Sequence, residues 1–294
     1  MDVRLGNSIL RLKDLGCVRE DIPAQPIPPS VNLFVKVTNG CNARCLFCSN
    51  AGAESVSTRF NVDKLFEMVN ILQERNIIVN RINITGGEPA VVPALVDNIL
   101  SRAAESPYAD IHLHLNTNGL LPNSQMLMRH DRWNSISMSL HHYDMSTLQE
   151  IYGIAIPIEA FNFEGIDMSK VNASCNLIRG YIDSPESVQR MLDYAIDLGI
   201  NRLGFVALMK TNDFCRQHYV DFSDVDFASV PRLHFTGSMN RGSDCKCSNY
   251  LYSKGTRILE VYMRNYMNHH YCESSMVYDG QYFRQGFGTN NIIY

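Results

Sequence analysis

Cys41-Asn42-Ala43-Arg44-Cys45-Leu46-Phe47-Cys48 sets three thiols at the spacing C-x3-C-x2-C. The stretch follows an apolar, strand-like run and precedes Asn50-Ala51-Gly52. Core packing is a poor reason for such a triplet. Thiolates this close in sequence can fold around one soft metal centre, and iron–sulfur clusters are held by cysteine thiolates in short loops. Three cysteines supply one ligand too few for a four-iron cluster, which leaves one iron open to another molecule. A zinc or disulfide loop is the other reading, although zinc loops usually pair C-x2-4-C with a second, distant pair.

Outward from the loop the chain alternates strand and helix. Residues 33–38 read as a first strand ending at the cysteines, and Val62, Leu65, Val69 and Leu72 mark an amphipathic helix capped by Asn61. Further strands are predicted at 81–85, 111–115, 135–140, 171–178 and 202–209, with helices near 92–104, 124–130, from 144, and 184–199, and a loop at 157–167. Such a succession demands a parallel sheet with right-handed crossovers. Buried parallel strands are usually apolar throughout. Here Arg81, Asn83 and Thr85 alternate with Ile82 and Ile84; His112, His114 and Asn116 with Leu113 and Leu115; Ser135, Ser137 and Ser139 with Ile136 and Met138. With helices on the apolar face, the polar face must line something wet. A curved, incomplete barrel does this better than a flat doubly wound sheet, so the fold class is α/β, a partial (β/α)6 barrel. The same parity turns Asn172, Ser174 and Asn176 inward and Cys175 outward as a packed thiol, and it makes His112 and His114 hydrogen-bonded liners.

Chemistry in β/α barrels sits at the C-terminal ends of the strands. After the second strand comes Gly86-Gly87-Glu88-Pro89, a turn whose glycines let backbone approach a ligand closely. C-x3-C-x2-C with an aromatic before its last cysteine, followed one β/α unit later by G-G-E-P, resembles the radical SAM superfamily over residues 31–210. The resemblance implies a [4Fe–4S] cluster on Cys41, Cys45 and Cys48, whose open iron chelates the amino and carboxylate groups of S-adenosylmethionine (SAM). It implies that Gly86, Gly87 and Glu88 meet the methionine ammonium group, and that Asn118, in Thr117-Asn118-Gly119, belongs to the same site. Ser139 matches positions contacting methionine or ribose, although His141-His142 stand where members often carry an acid. Arg179 pairs with the SAM carboxylate or forms a surface ion pair. Ala207 and Phe47 resemble holders of adenine. On this reading Gly87→Val lowers SAM affinity without lowering iron content. In the superfamily an electron from a flavodoxin- or ferredoxin-type donor splits SAM into methionine and a 5′-deoxyadenosyl radical, which abstracts hydrogen from a substrate; the catalytic residues beyond that step are unassigned.

The remaining chain bounds the surroundings. With 294 residues, 45% hydrophobic and 19% charged, the protein reads as soluble and globular, and a net charge of −4 gives no footprint for nucleic acid. No apolar run reaches a membrane span and the start lacks a secretory apolar region, so a cytoplasmic, oxygen-sensitive protein is expected. Nine cysteines then argue for reduced thiols and metal sites. Residues 1–30, with Leu10, Leu12, Leu15 and four prolines from Pro23 to Pro29, read as an arm and linker, in which Cys17 is an isolated thiol.

Residues 211–294 lose the β/α rhythm, and 231–294 hold seven Lys/Arg against four Asp/Glu. Cys215, Cys245, Cys247 and Cys272 lie here, the last before a hairpin through Asp279-Gly280. Their arrangement resembles the Twitch or SPASM extensions that carry an auxiliary cluster, with C-x-C in place of the usual segment; zinc is the alternative. The domains expected are therefore 1–30, 31–210 and a cysteine-rich extension at 211–294. As function, radical oxidation, cross-linking or epimerisation of a peptide or natural-product intermediate leads. Dehydrogenation of a small polar metabolite, or a cyclisation like that of the molybdopterin-precursor enzymes, follows. A glycyl-radical activase lacks the ferredoxin-like C-x2-C pairs it would need, and a non-catalytic iron–sulfur scaffold is the reading from a different class.

Overall fold

The computed structural model describes residues 1–5, 8–13, 18–19, 26–49, 60–157, 160–240, 247–264, 274–286 and 292–294. A hairpin of β1 (Asp2–Leu5) and β2 (Ser8–Arg11) comes first, then β3 (Val18–Arg19). The expected arm is therefore tied down at its start: Leu5, Leu10 and Leu12 are buried, and the backbone N–H of Leu12 donates to the Met1 carbonyl. Leu15, Cys17 and Pro23 lie outside the described residues.

The alternation follows as β4 (Ser30–Thr38), α1 (Val62–Glu74), β5 (Ile78–Gly86), α2 (Pro93–Ala103), β6 (His112–Thr117), α3 (Pro122–Met128), β7 (Ser135–Ser139), α4 (Met145–Tyr152), β8 (Val171–Leu177), α5 (Pro185–Asp197), β9 (Arg202–Ala207) and α6 (Asp213–Gln217). Local chemistry sets these bounds. Asn61 caps α1 by accepting from the Lys64 N–H, Asp144 caps α4 through Thr147, and Ser184 caps α5 through Ser187. Gly153 closes α4 in the left-handed conformation at φ 64°. The chain ends in β10 (Leu233–Asn240), β11 (Cys247–Lys254), β12 (Arg257–Arg264), β13 (Ser275–Tyr278) and β14 (Phe283–Gln285), the last two forming the hairpin expected through Asp279-Gly280.

One sheet gathers twelve of these strands in the order β14-β13-β4-β5-β6-β7-β8-β9-β12-β11-β10-β3. Strands β4 to β9 pair parallel in chain order, the six-unit arrangement read from the sequence. The C-terminal third then extends both edges: β12 lies parallel beside β9, and β13 parallel beside β4.

Parity decides which face is covered. Leu33, Val35, Ile82, Ile84, Leu113, Leu115, Ile136, Met138, Ala173 and Cys175 are buried in one core with Leu65, Phe66, Val69 and Leu72 of α1 and Met191 and Leu192 of α5. A fully buried aliphatic side chain of this kind contributes about 1.5–3 kcal/mol relative to exposure. The opposite face lines a polar lumen of about 1700 Å3 that includes Asn83, Thr85, His112, His114, Asn116, Ser135, Ser137 and Asn172. Cys175 is packed, as the alternation required.

Candidate active site

The cysteine loop leaves β4 and is stitched to its neighbours by backbone. The Gly87 N–H donates to the Thr38 carbonyl (2.8 Å) and the Glu88 N–H to the Gly40 carbonyl (2.9 Å). Contact here is as close as backbone allows: a Cβ on Gly87 would lie 2.0 Å from the Gly40 oxygen, and one on Gly86, at φ 143°, would lie 2.3 Å from the Thr38 oxygen. From the other side the Arg44 and Leu46 N–H groups donate to the Tyr152 and Ile151 carbonyls at the end of α4 (2.8 and 3.1 Å). Those carbonyls lack partners within the helix, so the loop satisfies them.

Within the loop Cys41, Cys45 and Cys48 are free and half-buried. The Ala43 N–H donates to Cys41 Sγ at 3.4 Å. Burial pushes the Cys45 thiol up to about 12, and the charges of Cys48 and Cys41 beside it push the same way. Such thiols ionise against a bound cation. Among the described residues no three His, Cys, Asp or Glu side chains converge as the ligands of one metal ion would. Three thiols on one short loop suit a cubane instead, where each binds a different iron, so the donor set fits a [4Fe–4S] cluster with one open iron.

Glu88 is buried, and its carboxylate accepts from the Ala90 N–H (3.1 Å), the Thr117 hydroxyl (2.7 Å) and the Asn118 N–H (2.7 Å). Burial raises its pKa, and these donors and Ser124 oppose the rise. The side chain is thus a clamp between turns. Asn118 reaches back to the cysteine loop, donating to Asn42 Oδ1 at 2.8 Å. Ser139 is half-buried, and its carbonyl accepts from the Tyr152 hydroxyl (2.8 Å). Phe47 meets His141 edge to face at 4.6 Å, and it flanks a small apolar cluster of Ile151, Ile178 and Leu208. Ala207 is buried at the end of β9.

A family model described as the radical SAM superfamily matches residues 35–222. The chain belongs to the radical SAM superfamily. Membership implies a [4Fe–4S] cluster and SAM. Among curated relatives it is 28% identical over 151 residues to "Probable GTP 3',8-cyclase" of Thermoplasma volcanium, covering 49% of this chain and 45% of the relative. It is 28% identical over 182 residues to GTP 3',8-cyclase of Mycolicibacterium smegmatis, covering 58% and 49%. The chain thus spans about half the length of these relatives. The fold is similar to Streptococcus suis SuiB bound to S-adenosylmethionine (TM-score 0.52, 17% identity, 66% of this chain, 44% of that one). It is also similar to a radical SAM methyltransferase from Sphaerobacter thermophilus (TM-score 0.51, 16% identity, 68% and 63%).

The other residues singled out in the sequence have these partners. The Arg179 guanidinium bonds the Tyr219 carbonyl (3.1 Å) and Asp224 (3.2 Å), the surface ion pair that was the alternative to a SAM contact. Cys215 is fully buried on α6, its thiol donating to the Phe47 carbonyl at 3.5 Å, so it props the cluster loop from below. Cys247 is buried at the start of β11, while Cys245 and Cys272 lie outside the described residues. Among the described residues no helix is long and apolar enough to cross a membrane.

Sequence reasoning missed the lumen wall supplied from beyond residue 230. Asn249, Tyr250, Tyr262 and Arg264 line it, and Gly204 makes room for the Tyr262 ring, which a Cβ there would meet at 2.3 Å. The signal was present as alternation in β12, where Leu259, Val261 and Met263 are buried between Glu260, Tyr262 and Arg264.

Proposed function

We propose that this radical SAM enzyme abstracts hydrogen from a small, polar, anionic metabolite seated in the barrel lumen, as a radical dehydrogenase or cyclase. The observation that carries the reading is the lumen's charge: among the described residues Lys36, Arg81, Lys170, Arg202 and Arg264 line it, and its lining carboxylate there is Glu260, ion-paired with Arg202 at 2.7 Å. In a low-dielectric concavity such an imbalance attracts phosphate or carboxylate groups. Asn83, Asn116 and Asn172 add neutral donors and acceptors along the strands. The relatives named for GTP support the same class. A peptide or natural-product intermediate, modified by oxidation, cross-linking or epimerisation, is the second reading. It is favoured by volume, since about 1700 Å3 exceeds the usual ~300–1,000 Å3 of small-molecule sites.

Cys41, Cys45 and Cys48 would hold the cluster, with the backbone of Gly86-Gly87-Glu88 and the Phe47, Ile178 and Leu208 surface beside it for SAM. When bound, this pair supplies a one-electron cleavage of SAM that leaves an adenosyl radical able to take hydrogen from carbon. The chain's own residues aim the substrate, exclude water and hold the loop. An electron donor of flavodoxin or ferredoxin type would serve it, in the cytoplasm. A second [4Fe–4S] cluster on Cys215, Cys245, Cys247 and Cys272 belongs to the proposal, and with it the division into an arm (1–30), a barrel (31–210) and an extension (211–294).

The test is anaerobic reconstitution with iron and sulfide, then dithionite and SAM. 5′-Deoxyadenosine is expected, and iron-replete protein that forms none overturns the enzyme reading. Uniformly deuterated GTP and a deuterated peptide then compete as deuterium donors. Label passing into 5′-deoxyadenosine from the nucleotide supports the anionic-metabolite reading, and label from the peptide alone replaces it.

A further inference from the structure

We propose that Asn118 is a positioning residue that donates an N–H···S hydrogen bond to Cys41, and so raises the reduction potential of the cluster this loop holds; the inference rests on Cys41, Cys45 and Cys48 being cluster ligands. The orientation of the amide is fixed by its neighbours. Asn118 Oδ1 accepts from the Leu120 N–H at 3.0 Å, which turns Nδ2 toward the cysteine loop. Nδ2 carries two hydrogens, and two acceptors face it: Asn42 Oδ1 at 2.8 Å and Cys41 Sγ at 3.9 Å. Both of its donors are thus used, one of them on sulfur.

The turn bearing Asn118 is held to the same frame as the cysteine. Glu88 takes the Asn118 N–H on one carboxylate oxygen and the Thr117 hydroxyl on the other, while its own N–H bonds Gly40, the residue before Cys41. Asn118 and Glu88 are both buried, so water does not replace the amide hydrogen. The chain Gly40–Glu88–Asn118–Cys41 therefore closes on itself, and the donor cannot drift while the loop is intact.

A one-electron donor of the flavodoxin class adds an electron to the cluster without making or breaking a bond, and the added charge spreads over its sulfurs. Hydrogen bonds to those sulfurs stabilise the reduced state more than the oxidised one, a recognised control of cluster potential. A preference for the bond in the reduced state that is about tenfold in the reduced-to-oxidised ratio corresponds, for one electron, to about 59 mV.

The experiment is an EPR-monitored redox titration of the reconstituted full chain without SAM, in parallel with iron analysis. Asn118→Leu keeps the side chain's bulk and removes the donor, and its potential should fall about tenfold in that ratio. Asn42→Ala removes an acceptor that touches both Asn118 Nδ2 and Cys41 Sγ (3.9 Å) while leaving the N–H···S bond, and its potential should not fall. An unshifted Asn118→Leu protein with full iron, or an equal fall in Asn42→Ala, overturns the inference in favour of simple loop packing. Should Asn118→Leu fail to hold iron, the Asn42→Ala protein labelled with 15N-asparagine decides: its reduced cluster should show a 15N coupling, and its absence rejects the bond. Wild type with no iron–sulfur signal at all would instead fail the reading of the three cysteines.

Discussion

His141 spends its Nδ1 lone pair on the Asn176 N–H (3.1 Å) while its ring carries Phe47. Burial pushes its pKa down to about 3, and the same cause holds His114 near 3 in the lumen, where its Nδ1 lies 2.6 Å from the Ser135 hydroxyl. Both are therefore neutral in the fold, and both regain an ordinary pKa near 6.5 when the chain unfolds. The folded values are the lower ones, so their stabilising share is complete above about pH 6.5 and is lost as pH falls toward 3. Each removes roughly 1.4 kcal/mol per pH unit across that window. Urea unfolding of the apo protein at pH 7, 6 and 5 should show the decline, to which His112 and His142, also lowered by burial, add; His141→Gln should reduce the slope by up to roughly 1.4 kcal/mol per pH unit and leave the rest. Equal slopes would mean His141 is solvated. At this scale the sequence singles out residues whose type has few other uses, Cys41, Cys45, Cys48 and the Gly86-Gly87 pair, and the structure brings the two stretches into backbone contact. The sequence was silent on Glu88 as a clamp and on His141 as a support for Phe47, because those roles depend on partners thirty or more positions distant in the chain.

At the scale of elements, the two strips that cradle the cysteine loop respond differently to mutation. Gly87 packs against the backbone immediately before Cys41, so a valine there displaces the loop itself. The expectation of lost SAM affinity with unchanged iron is thereby corrected: Gly87→Val should lose both, and iron analysis after anaerobic desalting checks it. On the opposite side α4 holds the loop through its last carbonyls, and Asp144 begins that helix. Hydrogen bonds from Ser146 and Thr147 hold the Asp144 pKa below its usual value. Its support is present above the ordinary carboxylate pKa and is lost as pH falls through the lower folded one. Asp144→Ala should lower the melting temperature by a few degrees or less and speed iron loss to a chelator, whereas Asp144→Asn, which still caps, should do so less. Strands β5 to β9 were legible because each follows a helix, and β4 because its apolar run ends at the cysteines. Strand β12 was not, since it reaches the parallel edge through antiparallel β11 rather than a crossover helix.

At the scale of the whole molecule, the parallel run β4 to β9 is continued at both edges by strands of the C-terminal third, and among the described residues both parts line one lumen. That junction bears on the second cluster. Ser248 pairs with Met263 and Met263 with Phe205, which puts Cys247 at the C-terminal end of the sheet, the same end as Cys215 after β9. Two of the four proposed ligands thus stand at the end of the sheet where SAM binding is proposed. Cys215 also touches Phe47, so its removal from the native protein would disturb the first loop and give no clean answer. The decisive background is Cys41/Cys45/Cys48→Ala, where the first loop binds nothing. Reconstituted anaerobically, that protein should keep about four irons per chain with the broad absorption of a cubane, yet form no 5′-deoxyadenosine. Adding Cys247→Ala, or Cys215→Ala, should then empty it. Colourless triple-Ala protein with about one zinc would make the extension a structural metal site. If only Cys215→Ala leaves the iron in place, the thiol is confined to bracing Phe47, and the second centre is built without it.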